Sequence, residues 1–403
     1  MKDSCLFYKI DIIIVFIYNI LQLKGEIIMF KKELQYMMSN DPNETLSEKG
    51  DKIRRKIRPY FYNVLKLGNK LKLITDKKEI IKTDRPIIYV ASHGFKDDVL
   101  NTVITVKDNA YIVFGNIDLF YNTLDGFCLW VYGAQLVDRY DPESKHAMKN
   151  KMDRVIKLGN NLIIFAEATW NLTPEKPMLK LHGGFYDVAI KNNALVVPVL
   201  THKVGKNCYS RMLPAIDLSV LSEEDIETIK INLNKYINKA IDTLIYNTLI
   251  SKKIKNRLLE LKQIIISNNL NIEEIEQNAH NIFLGLQDII LYKDIPDDIK
   301  LTIKEVSKII SRISMIRKEV MVSKVRDVMA LEKYDMFEKY PDYSYMKNGK
   351  NMYEAWDDYI NDTITATKYF YLEPESTTVY KDSLIKDEIE VMPWLENKTY
   401  KKK

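Results

Sequence analysis

The stretch PIIYVASHGFKDD, from Pro86 to Asp98, decides the fold and contains the first candidate site residues. Its first half is a short unbroken apolar run, which is typical of a strand buried on both faces of a sheet. From Asp97 to Val106 apolar residues recur at helical spacing, so a helix should follow the strand. A strand that leads through a polar turn into a helix is the building unit of α/β proteins.

The same alternation of strand and helix continues to about Leu218. Apolar runs predict four more strands, at 110–114, 134–137, 162–165 and 195–200. Amphipathic spacing predicts helices at 144–158 and 185–191. We therefore predict an α/β domain over residues 85–218, with its catalytic residues where the strands end.

Residues 29–84 are predicted to form a helical, basic segment. Five cations lie close together and precede a run of aromatic and aliphatic residues: Lys52, Arg54, Arg55, Lys56 and Arg58. Cations next to aromatic side chains suit the headgroup region of an anionic membrane. A solvated basic helix at the edge of the domain explains the same pattern equally well.

Residues 1–28 allow three interpretations. Ile12 to Tyr18 is a run of seven apolar residues, and a spanning helix needs about 20. A signal peptide would need a small-residue cleavage site, which does not follow the run. We favour a mis-assigned start, because Lys24-Gly25-Glu26 in an A/T-rich gene would spell a ribosome-binding sequence at the right distance before Met29. A short hydrophobic anchor is the alternative.

Residues 219–403 are predicted to form a helical C-terminal extension. Apolar residues repeat at steps of three and four from Ile272 to Ile289, and a second helical run extends from Leu301 to about Glu338. The tail beyond Lys339 is rich in Tyr and charge. We expect an appendage that buries one face on the α/β domain.

The composition limits the class of protein. The chain has 403 residues, 46% of them apolar and 29% charged, which excludes a protein with many membrane spans. A net charge of +5 does not indicate nucleic-acid binding. Three cysteines form no disulfide framework, so we expect a reducing compartment. The richness in Ile, Lys, Asn and Tyr indicates a bacterial gene of low G+C content.

His93 and Asp98 are the candidate catalytic pair. A histidine at the end of a strand can face a carboxylate five residues later, at the start of a helix. An imidazole can remove the proton of a hydroxyl that attacks a thioester, and the carboxylate holds the required tautomer. Taken alone, this spacing is weak support, and a structural turn histidine would explain it.

Three further motifs follow in order, and together with the first they resemble the glycerolipid acyltransferase family, the PlsC-like group of lysophosphatidate (1-acylglycerol-3-phosphate) acyltransferases. The H-x-x-x-x-D motif of that family corresponds to His93–Asp98. The second motif corresponds to GAQLVDR at 133–139 and the third, usually F-P-E-G-T-R, to FAEATW at 165–170. The fourth corresponds to VVPV at 196–199, and the resemblance covers residues 85–201.

The resemblance implies a mixed β-sheet flanked by helices, and acyl transfer with His93 as general base and Asp98 orienting it. Four positions, Arg139, Glu167, Thr169 and Lys180, would then contact the acceptor, with Arg139 on a phosphate or polar headgroup, and Trp170 is a fifth candidate contact. Arg139 could instead form a surface ion pair with Asp138 or Asp141, and Glu167 and Thr169 could instead form a hydrogen-bonding turn at the end of the strand. No metal and no cofactor are expected. The partners would be acyl-CoA or acyl-carrier protein as thioester donor, a lipid acceptor and a membrane surface, without nucleic acid. The protein would lie at the cytoplasmic face of the cell membrane, peripheral or weakly anchored.

Two departures from the third motif leave the acceptor open. Trp170 replaces the usual Arg and Ala168 the usual Gly. The missing guanidinium would have supplied a charge-assisted contact worth roughly 1.5–3 kcal/mol. An indole suits stacking on a sugar or packing against lipid, so a saccharide, a polyol or an envelope polymer is an alternative acceptor. A protein that only binds lipid or a partner, without catalysis, is the alternative of another class.

Overall fold

The computed structural model describes residues 39–342, apart from Lys96, 116–130, 139–140, 172–176, 246–251, 268–270 and Lys293. The predictions for residues 1–28, for Arg139 and for the tail beyond residue 342 lie outside the described residues. Within the described residues the chain forms two compact units. The first unit, called the α/β unit below, contains the residues up to Asp217 and those from Arg326 onward, and the second unit is Leu218–Val325.

Seven described strands of the first unit form one sheet. They are β1 (Lys72–Lys78), β2 (Ile87–Ala91), β3 (Ala110–Gly115), β4 (Ala134–Val137), β5 (Asn161–Ile164), β6 (Leu195–Val204) and β7 (Asn207–Met212). Their order across the sheet is β1-β7-β6-β2-β5-β3-β4. Neighbouring strands run parallel except for β6 and β7, which pair antiparallel. The predicted mixed sheet is confirmed, including all five strands expected from the sequence.

Strand β2 lies in the middle of the sheet and carries the first motif. All five of its residues are buried, as expected for a strand covered on both faces. Its neighbour β5 runs parallel to it, with Val90 opposite Ile164. Because parallel strands end at the same edge of a sheet, the residues that follow β2 and β5 must lie close together.

Helices flank the sheet in the first unit, as predicted. They are α1 (Pro42–Thr45), α2 (Glu48–Gly68), α3 (Asp98–Val106), α4 (Pro142–Lys157) and α5 (Gly184–Lys191). Val103 and Val106 of α3 belong to one buried cluster with Tyr89 and Ile163 of the sheet. Helix α4 packs against β4 and β5. The apolar faces of these helices therefore cover the sheet that positions the site.

The predicted helical C-terminal extension is confirmed over the described residues. The second unit contains α6 (Glu223–Ile245), α7 (Lys252–Ile266), α8 (Ile272–Tyr292) and α9 (Asp297–Ile313), around a core of Ile, Leu and Val side chains. A last helix, α10 (Ile316–Lys339), is continuous. Its residues up to Val325 belong to the second unit, and those from Arg326 belong to the first. The extension predicted at 219–403 therefore returns to the first unit at its end.

The structure differs from the predicted helical segment 29–84 at the end of that segment. Residues 72–78 form strand β1 at an edge of the sheet. The sequence KLITDKK does not alternate between apolar and polar residues, and none of the seven is fully buried. An edge strand of this kind has too little apolar pattern for sequence analysis to recognise. Among the described helices, none combines the length and the apolar character that a bilayer span requires.

Candidate active site

The turn between β2 and α3 places the first motif at the carboxyl edge of the sheet. The Ser92 N–H donates to the Val199 carbonyl at 3.0 Å and so extends the pairing of β2 with β6 by one residue. The chain then leaves the sheet, and α3 begins at Asp98. His93 and Asp98 therefore lie on opposite sides of one short turn.

His93 and Asp98 are in hydrogen-bond contact, as the sequence predicted they could be. His93 Nδ1 lies 3.0 Å from Asp98 Oδ2 and 3.1 Å from Oδ1. Two backbone groups, the N–H of Gly94 and that of Phe95, also donate to Asp98 Oδ2. A carboxylate beside Nδ1 accepts a hydrogen bond from it and so favours the tautomer with its proton on Nδ1. Nε2 then holds the lone pair that a general base needs.

The imidazole of His93 lies between two aromatic rings. The Phe165 ring centroid is 4.8 Å from that of His93, and the Trp170 centroid is 5.6 Å away in an edge-on arrangement. The His93 side chain is 9% exposed and that of Asp98 is 0% exposed. An imidazole with so little contact with bulk water is shielded from proton exchange with the solvent.

Trp170 lies beside His93 and is 4% exposed. Its indole packs against the imidazole and is shielded from solvent, so it forms part of the wall around the base. The sequence prediction placed Trp170 on the acceptor side, suited to sugar stacking or lipid packing. The edge-on contact limits any such stacking to the parts of the ring that face away from His93.

Glu167 braces the turn that carries His93. Its side chain is 2% exposed, its Oε1 accepts the His93 backbone N–H at 2.8 Å, and its Oε2 accepts the Leu179 N–H at 2.9 Å. Burial raises the pKa of Glu167 to about 7, and the two backbone N–H groups and nearby cations act against that rise. Both oxygens accept backbone N–H groups, which is the hydrogen-bonding turn at the strand end that is the alternative to a contact with the acceptor.

Thr169 and Lys180 are the other predicted acceptor contacts within the described residues. Thr169 is half-buried in the loop after β5, and Lys180 is exposed, one residue after Leu179. Arg139 of the second motif lies outside the described residues.

The glycine that opens this motif, Gly133, has a φ of +100°, and a Cβ there would lie 2.5 Å from the Tyr111 ring. The local fold therefore requires glycine at the start of β4.

The third motif contains a strained position. Ala168 has a φ of +55°, in the left-handed region, and its N–H donates to the Phe165 carbonyl at 3.0 Å. This conformation costs an L-residue roughly 1–2 kcal/mol and costs glycine very little. The alanine in place of the usual glycine therefore stores strain two residues before Trp170.

Replacing Ala168 with glycine is expected to raise the free energy of unfolding by about 0.5–1 kcal/mol, because relief of the left-handed strain exceeds the extra backbone entropy of glycine in the unfolded chain. Urea denaturation would measure it. The control is Ala330→Gly, inside α10, which should lower stability by about 0.5–1 kcal/mol. Equal destabilisation by both substitutions would refute the strain at Ala168.

Sequence analysis missed a buried cation near the site. Lys333 of α10 is 8% exposed, and its Nζ donates to the carbonyl of Thr201. The available signal was its register, since Lys333 follows Met329 by four residues and precedes Met336 by three, and both methionines are buried. The sequence does not distinguish such a lysine from the solvated lysines of an ordinary helical run.

No group of three or more His, Cys, Asp or Glu side chains that could hold a metal ion occurs in the part of the chain that the structure describes. His202 lies on β6, where its Nε2 donates to the Tyr340 carbonyl at 2.9 Å. Burial lowers the pKa of His202 to about 4. This histidine is therefore a neutral packing residue at ordinary pH.

Comparison with known proteins agrees with the motifs. Residues 72–202, about a third of the chain, match the family model described as Acyltransferase. The matched segment runs from β1 into β6 and includes His93, Asp98 and Glu167. The resemblance to acyltransferases that the four motifs indicate is thereby confirmed for this segment.

One similar solved structure is the 1-acyl-sn-glycerophosphate (LPA) acyltransferase PlsC from Thermotoga maritima. It shares 16% sequence identity with this chain and has a TM-score of 0.30, over 56% of this chain and 91% of the other. Comparison with curated proteins found no match.

Proposed function

We propose that this chain transfers a fatty acyl group from a thioester donor to a hydroxyl group of a glycerol-phosphate-type lipid. The observation that supports the proposal best is the His93–Asp98 contact of 3.0 Å at the end of β2, within the segment that matches acyltransferases. Nε2 of His93 takes the proton of the acceptor hydroxyl as its oxygen attacks the thioester carbonyl. The C–S bond then breaks, and the leaving thiolate takes the proton from the imidazolium.

The donor is an acyl thioester, either acyl-CoA or acyl-carrier protein. Both present the same pantetheine arm and the same reacting carbonyl, so the chemistry at His93 is identical for the two. No resident cofactor or metal takes part in the proposed steps. The protein partner would be acyl-carrier protein if the second donor is the one used.

The acceptor class follows from the resemblance, and a saccharide, a polyol or an envelope polymer is the second candidate. Trp170 favours the second candidate, because it stands where a guanidinium would bind a phosphate in relatives with the usual motif. Its ring lies edge-on to His93, so an apolar surface lies next to the proposed base. The same surface could also pack against the hydrocarbon part of a lysophospholipid.

An acceptor screen tests the function. Purified protein would be incubated with palmitoyl-CoA or palmitoyl-acyl-carrier protein and one acceptor at a time, and acylated products would be identified by mass spectrometry. Lysophosphatidate, a monoacyl glycolipid, glycerol and a disaccharide cover the two acceptor classes. Activity on lysophosphatidate alone would refute the saccharide alternative. Thioester-dependent acylation of none of them would favour a protein that only binds lipid or a partner.

We also propose that helix α2 contacts an anionic membrane surface. Its buried residues include Asp51, Arg58, Phe61 and Tyr62, so one face is fixed to the α/β unit. Its outer face has exposed apolar side chains at steps of three, four and seven, namely Ile53, Ile57, Tyr60 and Leu67. Three exposed lysines flank this stripe at Lys49, Lys52 and Lys56. An apolar stripe beside lysines suits insertion at the headgroup level of a bilayer that carries negative charge.

Charge reversal on α2 should weaken binding to anionic vesicles. Each lysine near such a surface contributes about 1 kcal/mol, so Lys52→Glu with Lys56→Glu should lower affinity by roughly 30-fold or more. Sedimentation with vesicles that contain phosphatidylglycerol would measure it. The matched control is Lys235→Glu with Lys239→Glu, an exposed pair at the same spacing on α6. Equal losses for the two pairs, or binding that is insensitive to salt, would contradict a specific role for α2.

A further inference from the structure

The end of α10 is firmly attached to the α/β unit. The guanidinium of Arg211 on β7 forms salt bridges of 2.5 Å with Asp76 of β1 and with Asp335 of α10. Tyr340 stacks on Tyr209 of β7, with ring centroids 3.7 Å apart. These contacts hold the last turns of α10 across the edge formed by β1 and β7. A helix outside the segment that matches acyltransferases therefore has a fixed position next to that segment.

This position directs Lys333 toward the candidate active site. The Lys333 ammonium donates to the carbonyl of Thr201, and the Thr201 N–H donates to Ser92 Oγ at 3.1 Å. Ser92 directly precedes His93. Lys333 is thus connected by two hydrogen bonds to the residue next to the proposed base.

Four titratable groups interact electrostatically with Lys333: Asp98 on α3, Glu167 after β5, Cys208 on β7 and His202 on β6. Glu167 in turn interacts with His93 and Lys333. The thiol of Cys208 stays protonated, since burial raises its pKa to about 12, and the neutral imidazole of His202 carries no charge. The charges that matter here are the two carboxylates, the ammonium and, during turnover, the imidazolium.

Two buried carboxylates in one site need a compensating charge. Taking a carboxylate out of water costs several kcal/mol unless a cation or hydrogen bonds compensate for it. Glu167 needs its negative charge, because both of its oxygens accept backbone N–H groups. Protonation turns one of these oxygens into a hydroxyl, which is a weaker acceptor than a carboxylate oxygen for the His93 or the Leu179 N–H.

We propose that Lys333 is a positioning residue of the active site. Its buried ammonium holds the Thr201 carbonyl beside Ser92, and its positive charge favours the ionised form of Glu167, which holds the His93 backbone in place. The proposal rests on the proposed function for its kinetic consequence only, because the effect of Lys333 on Glu167 can be measured without catalysis. Lys333 does not touch the reacting atoms. It acts through Glu167 and through Thr201 and Ser92.

The direction of the pH effect follows from the two groups. Burial raises the pKa of Glu167 to about 7. The N–H groups of Leu179 and His93 oppose this rise, and the charges of His93 and Lys333 oppose it to a smaller extent. Burial lowers the pKa of Lys333 to about 8, and the carboxylates oppose that fall. Glu167 is ionised above its pKa. Its carboxylate therefore holds the His93 and Leu179 N–H groups at higher pH, and this support is lost as the pH falls through about 7. Without the ammonium, this support should be lost at a higher pH.

Infrared titration of the full-length protein tests the proposal. The stretching band of the protonated Glu167 carboxyl would be assigned by its absence in Glu167→Gln. In Lys333→Met, the midpoint of that band should move to higher pH, because one of the charges that favour the ionised carboxylate is removed. Lys333→Arg keeps the charge and should keep the midpoint. The matched control is Arg326→Met, two turns earlier on α10, because Arg326 pairs with the neighbouring Asp327.

The kinetic prediction is that the acidic limb of kcat/KM against pH moves in the same direction in Lys333→Met. A folded Lys333→Met with an unchanged Glu167 midpoint would overturn the proposal, even if its activity fell. Lys333→Gln, which keeps a donor for Thr201, is the second neutral variant. If both neutral variants fail to fold while Lys333→Arg folds, Lys333 is a packing anchor and the proposal is wrong. If the wild type has no acyl transfer activity, the proposed function fails and the infrared result still decides this inference.

Discussion

Replacing His93 with alanine is expected to lower kcat by a factor on the order of 10²–10⁴ or more, the usual contribution of a positioned general base. The acceptor hydroxyl would then lose the group that takes its proton while its oxygen attacks the thioester. KM should change little, because the imidazole acts on the reacting proton and contributes little to holding the substrates. Steady-state kinetics with a thioester donor and the acceptor found in the screen would measure both constants.

The control for this substitution is His146→Ala, since His146 is exposed on α4. It should retain activity within a few-fold of the wild type. His93→Ala also removes ring contacts with Phe165 and Trp170, so thermal unfolding must be measured in parallel. A folded His93→Ala protein with activity close to that of the wild type would favour a binding protein and contradict the proposed mechanism.

The parts of the fold that the sequence revealed are those with a strong local pattern. Strands β2, β5 and β6 lie in the middle of the sheet, and unbroken apolar runs mark them. The turn between β2 and α3 combines a strand end with a helix start, and both are short-range features. The His93–Asp98 contact was predictable for the same reason, because five residues across one turn leave little freedom.

The two missed strands, β1 and β7, lack a strong pattern of their own. Lys72 of β1 pairs with Asn207 of β7, and neither strand has the apolar run of the central strands. Strand β7 reads NCYSRM, in which polar residues alternate with others, and it forms a hairpin with β6. The pattern of such a strand is set by its partner, so its own sequence gives little indication.

The roles of Glu167 and Lys333 could not be read from the sequence for a related reason. The third motif marks Glu167 as important, yet only the coordinates show that its oxygens accept the N–H groups of His93 and Leu179. Lys333 lies more than a hundred residues beyond the matched segment and reaches the site through tertiary packing. A buried charge acquires its partners from the fold, which no spacing in the sequence specifies.

The second large effect is expected for Asp98→Asn, with kcat reduced by about 10²–10⁴ and little change in KM. In the native site Asp98 Oδ2 accepts the N–H groups of Gly94 and Phe95 and faces His93 Nδ1. An asparagine has one oxygen for the backbone donors, so its NH₂ group would turn toward Nδ1. Nδ1 would then accept, the ring proton would move to Nε2, and the base would lose its lone pair at the reacting atom.

The neighbouring Asp97→Asn is the matched control. Asp97 is half-buried at the start of α3, and its side chain does not cap the helix, so the change should alter kcat by no more than a few-fold. The double variant His93→Ala with Asp98→Asn gives a sharper criterion. Since Asp98 acts through the imidazole, its loss should cost almost nothing once His93 is absent. If the two losses multiply, Asp98 has an independent role, for example in holding the Gly94–Phe95 turn, and orientation of the base is not its main contribution.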